Sequence, residues 1–131
     1  MVNPKPSSPS RPEHLRQGAA AEALGARWLE QRGWRIVGRN YRCKLGELDL
    51  IAVDCGTLVF VEVRWRRSER FGGALASVDY RKQQRLVRTA QHYLLTHPRW
   101  QQAPCRFDVL ALGSGPEGIQ IDWRPAAFDA Y

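Results

Sequence analysis

The stretch that most constrains the fold is GELDLIAVDCGTLVFVEVRW, residues 46–65, in which two apolar segments flank a short turn. Valine, isoleucine, leucine and phenylalanine dominate both segments, which is typical of strands buried on both faces of a sheet. The turn is predicted at Asp54 to Thr57, with Cys55 and Gly56 at its tip. The two strands then form a β-hairpin in which the numbers of facing residues sum to 111.

Four charged residues interrupt these apolar strands. In this register Asp49 faces Glu62 and Glu47 faces Arg64, and strict alternation of side chains puts all four on one face. Directly opposed Cβ atoms are about 4.5 to 5.5 Å apart, so the two facing carboxylates repel each other unless a cation compensates them. Carboxylates in a sheet covered on both sides favour a metal or catalytic site, and a structural ion-pair ladder is the alternative.

The other segments show an ordered series of helix and strand patterns. The order predicts an α/β fold with a central mixed sheet flanked by helices, because the first three strands are close enough to pair antiparallel and a later strand can join in parallel after a helical crossover. The predicted elements are a helix from a capping box at Ser10 and Glu13 to about Arg32, strands at 34–41, 47–53 and 58–65, a helix at 79–96, a strand at 105–113 and an edge strand at 118–124.

Length and composition indicate one domain in a reducing compartment. The chain has 131 residues, of which 44% are hydrophobic, enough for a single core. Residues 1–10, rich in proline and serine, are predicted to form a mobile N-terminal tail, and residues 11–131 a single domain. Three cysteines without metal-binding spacing, and the lack of a secretory signal or a membrane-length apolar run, predict a cytoplasmic protein without membrane contact.

The first helix carries a further carboxylate on its apolar side. At about 100° per residue, Glu22 lies inside the apolar arc, next to small residues that leave room around it. It could reach toward Asp49 and Glu62 across the helix–sheet interface. The alternative is that Glu22 lies at the edge of the arc and extends into solvent.

The excess of basic residues predicts a polyanionic partner. The chain has 20 lysines and arginines against 13 acidic residues, a net charge of +7. One face of the second helix carries Arg81, Arg85, Arg88 and His92, whose like charges a nucleic-acid backbone would relieve; a merely solvated basic face is the alternative. The residues predicted to contact nucleic acid are Arg66, Arg67, Arg81, Lys82, Arg85 and Arg88.

The hairpin resembles that of the bacterial YraN-type family of small proteins, and the likeness covers most of the chain. It includes GAAAEALGARWLEQRGWRIVGRNYR, RFGGALASVDYRKQQRLVRTAQHYL and RFDVLAL. That family is similar in turn to Holliday-junction resolvases and other restriction-endonuclease-like enzymes of the PD-(D/E)xK type. The resemblance implies a restriction-endonuclease-like α-β-β-β-α-β core that acts on DNA.

The resemblance also implies roles for individual residues. Asp49, Glu62, Arg64 and Glu22 take the catalytic positions, and Asp49, Glu62 and the backbone carbonyl of Val63 would bind Mg²⁺ or Mn²⁺. Such ions are held by a few carboxylates, water and phosphate oxygens, and they promote attack at phosphorus.

One position departs from the pattern. Arg64 stands where the related enzymes usually have lysine, and a permanently charged guanidinium can clamp a phosphate but cannot act as a base. Lys44 and Lys82 are the only other lysines outside the N-terminal tail, and the sequence connects neither to the catalytic role.

Three functions remain open. The first is a metal-dependent phosphodiesterase acting on DNA, with branched or repair intermediates as candidate substrates. The second is a catalytically silent nucleic-acid-binding module, for which Arg64 is the main sign. The third is a partner-binding protein with a structural acidic cluster, in which Trp65 and Phe71 would mark the interface. Cutting a symmetric junction needs two active sites, so a resolvase would require a homodimer.

Overall fold

The computed structural model describes residues 13–66 and 78–129, with side chains from residue 18 onward. The predicted tail, the capping residue Ser10, and the loop residues Arg67 and Phe71 lie outside the described residues. The elements are α1 (Glu13–Gln31), β1 (Arg35–Cys43), β2 (Gly46–Asp54), β3 (Thr57–Trp65), α2 (Tyr80–Thr96), a 3-10 turn (Pro98–Trp100), β4 (Cys105–Gly115) and β5 (Gly118–Phe128).

The five strands form one mixed sheet in the order β1-β2-β3-β4-β5. β3 and β4 pair in parallel, and the other neighbours pair antiparallel. The segment between β3 and β4 contains α2, as a parallel connection requires a crossover. The mixed α/β fold predicted from the sequence is therefore confirmed, with a last strand that is longer than expected.

The two helices cover opposite faces of the sheet. On the α1 side, Leu29 packs with a row of sheet residues that includes Leu50, Val61 and Leu110. On the α2 side, Leu86 and other helix residues pack on Ile51, Leu58, Phe60 and Val109. Both faces of the central strands are therefore apolar, which explains their nearly continuous hydrophobic sequence.

The helices have the faces that their sequences predict. In α2, Leu86, Val87, Ala90 and Tyr93 are buried. In α1, Gly25 lies so close to the sheet that a Cβ atom there would be 3.2 Å from Leu110 Cδ1. No helix in the described part of the chain is long and apolar enough to cross a membrane.

The hairpin has the predicted register. Cys55 and Gly56 both have positive φ, 49° and 86°, which is the pattern of a type I′ turn. Its twist matches that of the flanking strands, and the pairs Val53–Leu58 and Ile51–Phe60 follow from it. The recorded pairing of β2 with β3 runs from the turn to Leu50–Val61 and ends there, next to the charged residues.

A buried carboxylate that the sequence did not reveal joins β4 to β5. Asp108 is 0% exposed, and its oxygens accept hydrogen bonds from Arg106 Nε at 3.0 Å, Trp123 Nε1 at 2.9 Å and the backbone N–H of Ala126 at 2.9 Å. The pairing of β4 with β5 shifts register between Phe107 and Val109, beside this carboxylate. Asp108 therefore supplies hydrogen bonds where the strand ladder is interrupted.

We expect Asp108→Ala to destabilise the protein by about 3 kcal/mol or more, because it leaves three N–H donors, from Arg106, Trp123 and Ala126, without their acceptor. Glu117→Ala is the matched control: Glu117 is exposed in the turn before β5, so its loss should cost less than about 1 kcal/mol. Urea unfolding of both variants and the parent measures the difference. Equal free energies of unfolding for the two variants would contradict a structural role of Asp108.

Candidate functional site

A cleft of about 470 Å³ lies where the pairing of β2 with β3 ends. Residues of both helices line it, together with residues of β1, β2 and β3. We call it the acidic cleft. It is lined by Gly18, Ala19, Glu22, Asn40, Arg42, Glu47, Asp49, Glu62, Val63, Arg64 and Lys82.

The strand β2 becomes irregular at Asp49. Oδ2 of Asp49 accepts a hydrogen bond from the backbone N–H of Val63 at 2.9 Å. Leu48 belongs to the core on the α2 side and Leu50 to the core on the α1 side, although strict alternation would put both on one face. The prediction of strict alternation is therefore wrong at this end of the strand.

The four hairpin charges nevertheless line one cleft. Their pairing differs from the predicted register, since Glu47 Oε1 lies 3.6 Å from Arg42 Nε, and Arg64 is ion-paired with Glu62. The irregularity at Asp49 brings the charges together without placing Glu47 against Arg64.

Three carboxylates from three elements meet in the acidic cleft: Glu22 from α1, Asp49 from β2 and Glu62 from β3. Burial, and then repulsion from Asp49, raise the pKa of Glu62 from 4.5 to about 8. The same two causes, in the same order, raise the pKa of Glu22 from 4.5 to about 7. The cluster therefore binds protons, or another cation, more readily than separate carboxylates in water do.

Two cations lie against Glu62. Arg64 Nε is 3.2 Å and Lys82 Nζ is 3.4 Å from Oε2 of Glu62, and both lower its pKa by less than burial and Asp49 raise it. Nε of Arg64 makes no hydrogen bond, so its contact with Glu62 is an ion pair only. Among the buried side-chain polar atoms of the described residues, it is the one without a hydrogen-bond partner. A ligand with acceptor oxygens would satisfy it.

The structure separates the two lysines that the sequence could not rank. Lys82 comes from the first turn of α2 and lines the acidic cleft. Lys44 is exposed in the turn between β1 and β2, and it does not line the cleft. A lysine that shares the site with Asp49 and Glu62 is thus supplied by a helix.

The donor atoms suit a hard divalent cation. They are carboxylate oxygens, which Mg²⁺ and Mn²⁺ prefer. Within residues 18–66 and 78–129, no group of three or more His, Cys, Asp or Glu side chains has ready ligand geometry. Mg²⁺ commonly takes only one or two carboxylates and completes its shell with water and phosphate, so Asp49 and Glu62 fit such an ion. Val63 contributes its N–H to Asp49, and a role for its carbonyl stays a prediction.

A second cleft of about 290 Å³, which we call the basic cleft, adjoins the acidic one. The two clefts share Arg42, Glu47 and Lys82. The further lining residues of the basic cleft are Cys43, Gly46, Arg85, Leu86 and Thr89.

The residues predicted to bind nucleic acid are distributed unevenly around these clefts. Lys82 lines both clefts and Arg85 lines the basic cleft, while Arg81 and Arg88 are exposed on α2. The side chain of Arg66 is only 15% exposed and lies 3.7 Å from Asp122, so it is held against the sheet. Arg67 lies outside the described residues.

The structure corrects the predicted role of one residue and adds two residues to the site. His92, which extended the basic row, is partly buried and its Nδ1 contacts the Tyr41 hydroxyl. Asn40 and Arg42 line the acidic cleft and were not identified as site residues. Asn40 has a positive φ of 52°, and its hydrogen bond lowers the pKa of Glu22. The sequence signal that could have identified Asn40 and Arg42 is their position in RNYRCKLGEL, directly before the hairpin.

Fold and site together define a mixed α/β protein with a carboxylate cleft at the open end of a β-hairpin. The model of the family described as "Uncharacterised protein family UPF0102" matches residues 21–112. Two relatives are named "UPF0102 protein". The one from Stutzerimonas stutzeri is 47% identical over 90% of this chain and 98% of its own length. The one from Alcanivorax borkumensis is 49% identical over 85% of this chain and 90% of its own length. UPF0102 protein PSEEN4497 of Pseudomonas entomophila is 50% identical over 86% of this chain and 92% of its own length.

The chain belongs to the UPF0102 family, which confirms the resemblance to the YraN-type proteins. The matched residues span the described part of α1 from Ala21, the hairpin, α2 and most of β4. Both clefts are built almost wholly from this matched region.

The raised pKa values predict that stability falls as the pH rises. Glu62 binds its proton more tightly in the folded chain, so its contribution to stability is complete below pH 4.5 and is lost as the pH rises through about 8. Glu62→Gln carries no such proton, and its free energy of unfolding should therefore decline less than that of the parent over this window. Urea unfolding in EDTA at several pH values tests this. Parallel pH profiles of parent and variant would contradict the raised pKa.

Proposed function

We propose that the protein is a metal-dependent phosphodiesterase with a restriction-endonuclease-like core, and that it acts on DNA. The observation that carries the proposal is the convergence of Glu22, Asp49 and Glu62, with Arg64 and Lys82, in one cleft. The adjoining basic cleft supports a polyanionic substrate. An acidic cluster that only stabilised the fold would not need an open cleft, two raised carboxylate pKa values and an unsatisfied guanidinium N–H.

The carboxylates have distinct roles in this proposal. Asp49 and Glu62 would hold Mg²⁺ or Mn²⁺, which when bound supplies Lewis acidity and positive charge for hydrolysis of a phosphodiester. The hydrogen bond from Val63 N–H orients the Asp49 carboxylate. Glu22, which lines the cleft with these two carboxylates, accepts the proton of the attacking water at a carboxylate oxygen.

The cations act on the phosphate. Arg64 lines the acidic cleft with a permanent positive charge, so it stabilises the charge that develops on the phosphate oxygens as the water oxygen bonds to phosphorus. The bond from phosphorus to the leaving oxygen breaks, and solvent protonates that oxygen. Arg81, Arg85 and Arg88 on α2 contact the backbone, which gives affinity with little sequence specificity.

A second candidate is a binding module without turnover. Two cations, Arg64 and Lys82, already lie within 3.4 Å of Glu62 and neutralise part of the cluster without a metal. Arg64 also cannot serve as a base. In this candidate the protein binds nucleic acid but does not catalyse its hydrolysis.

Cleavage assays test the proposal directly. The parent protein should nick nicked, flapped or four-way DNA in Mg²⁺ or Mn²⁺ and not in EDTA. Asp49→Ala should lower the rate on the order of 100-fold, as loss of one charge-stabilising group does in other enzymes. Glu117→Ala, which removes an exposed carboxylate in the turn before β5, is the matched control and should cleave like the parent. Equal nicking by the parent and Asp49→Ala would overturn the assignment.

Substitution of Arg64 separates the two candidates. A phosphodiesterase that uses Arg64 should lose at least about tenfold in turnover in Arg64→Ala, since a stabilising charge is removed. The silent module instead predicts no cleavage by the parent, DNA binding with a steep salt dependence, and a gain of cleavage in Arg64→Lys. Rates and dissociation constants measured on the same DNA distinguish these outcomes.

A further inference from the structure

The basic cleft is not explained by the carboxylate chemistry. Three cations from two elements line it: Arg42 near the end of β1, and Lys82 and Arg85 in α2. Glu47 is the acidic residue in its lining. The balance of charge in the lining is positive, so the cleft favours an anion.

The basic cleft is continuous with the acidic cleft through Lys82. This side chain lines both clefts, and its ammonium lies 3.4 Å from Glu62. A ligand at Glu62 that extends past Lys82 therefore enters the basic cleft. Such a ligand must carry negative charge at a regular spacing, as a nucleic-acid strand does.

The shape of the basic cleft limits the size of its occupant. Its volume of about 290 Å³ is at the lower end of small-molecule pockets, which suits one nucleotide unit rather than a duplex. Gly46, with φ of 150°, lets the β1–β2 turn approach α2, because a Cβ atom there would be 2.9 Å from Thr89 Oγ1. The close approach of turn and helix gives the cleft fixed walls.

Arg42 is available for a ligand. Its partner Glu47 is 3.6 Å away, and the two side chains are 74% and 52% exposed, so water screens the pair strongly. A phosphate can therefore compete with Glu47 for the guanidinium. Arg85 is exposed as well, so its guanidinium can also bind a phosphate.

We propose that the basic cleft is a subsite for the phosphate of the nucleotide next to the cleaved one, on a single unpaired strand, held by Arg42 and Arg85. The inference rests on the proposed function, because it takes the adjoining acidic cleft to be the site of phosphodiester cleavage. It specifies the substrate class as nucleic acid with at least one unpaired nucleotide beside the cut.

Alkylation of the cysteines tests the subsite without any substitution. Cys43 lines the basic cleft, whereas Cys55 lies in the turn between β2 and β3, at the other end of β2. A short oligothymidylate in EDTA should slow alkylation of Cys43 several-fold and leave Cys55 unchanged, as measured by mass spectrometry of the peptides obtained after digestion of the alkylated chain. No protection of Cys43, or equal protection of both cysteines, would overturn the proposal.

Thymidine monophosphate is the second arm of this experiment. It should protect Cys43 only at much higher concentration, because it lacks the further phosphates with which the oligonucleotide also contacts the exposed arginines of α2. Protection at the same concentration as the oligonucleotide would assign the cleft to a free nucleotide and overturn the strand subsite.

Arginine variants provide an independent readout by fluorescence anisotropy, again in EDTA. Arg42→Ala and Arg85→Ala should each weaken binding of the oligonucleotide and together reduce the salt slope by about 0.7, the value for the one phosphate that they share on a single strand. Arg35→Ala is the matched control, because Arg35 is an exposed arginine at the start of β1 that lines neither cleft, and it should change both quantities less. Equal losses in all three variants would show general charge attraction only and overturn the subsite.

Different results would overturn the phosphodiesterase proposal and the subsite proposal. Protection of Cys43 without cleavage in Mg²⁺ would overturn the phosphodiesterase and retain the subsite as a binding site. Cleavage with Cys43 unprotected would overturn the subsite and retain the phosphodiesterase.

Discussion

The repulsion between Asp49 and Glu62 is the constraint on which the site depends. The type I′ turn at Cys55 and Gly56 sets the register of the hairpin, and that register brings the two carboxylates together beside a buried core. Burial and mutual repulsion make the ionised pair costly, as the raised pKa of Glu62 shows. The nearby cations and the interrupted pairing of the strands both reduce that cost.

The two helices contribute to both the core and the site. Each buries an apolar face on one side of the sheet, and each also supplies a charged residue to the acidic cleft, Glu22 from α1 and Lys82 from α2. The burial of the core therefore offsets the cost of holding like charges close together. A change that moved either helix would alter the cleft as well as the core, because the same backbone positions both.

Two buried carboxylates show the difference between structural and functional acids in this fold. Asp108 is fully buried, and three donors satisfy its oxygens, so it closes a gap in the pairing of β4 with β5. Glu62 is nearly as buried, yet it has another carboxylate and two cations beside it, one with an unsatisfied N–H, at an open cleft. The satisfied arrangement stabilises the fold, and the unsatisfied one is suited to a ligand.

The sequence by itself determined the features that follow from local spacing. The period of apolar residues gave both helices and the hairpin, and a two-residue turn gave the register from Val53–Leu58 to Ile51–Phe60. The same periodicities predicted that Asp49, Glu62 and Glu22 lie close together, and all three line one cleft although strict alternation fails at Asp49. Family resemblance added the roles of these residues, which stay proposals.

Only the tertiary structure decided which distant groups meet. The entry of Lys82 into the acidic cleft and the bonding of Asp108 to Trp123 and Ala126 join residues from different elements. Local spacing says nothing of these contacts, because they depend on strand order, on where α2 crosses the sheet and on the irregularity at Asp49. The hairpin brings the carboxylates together, and the packing of the helices and of β1 determines which charges surround them.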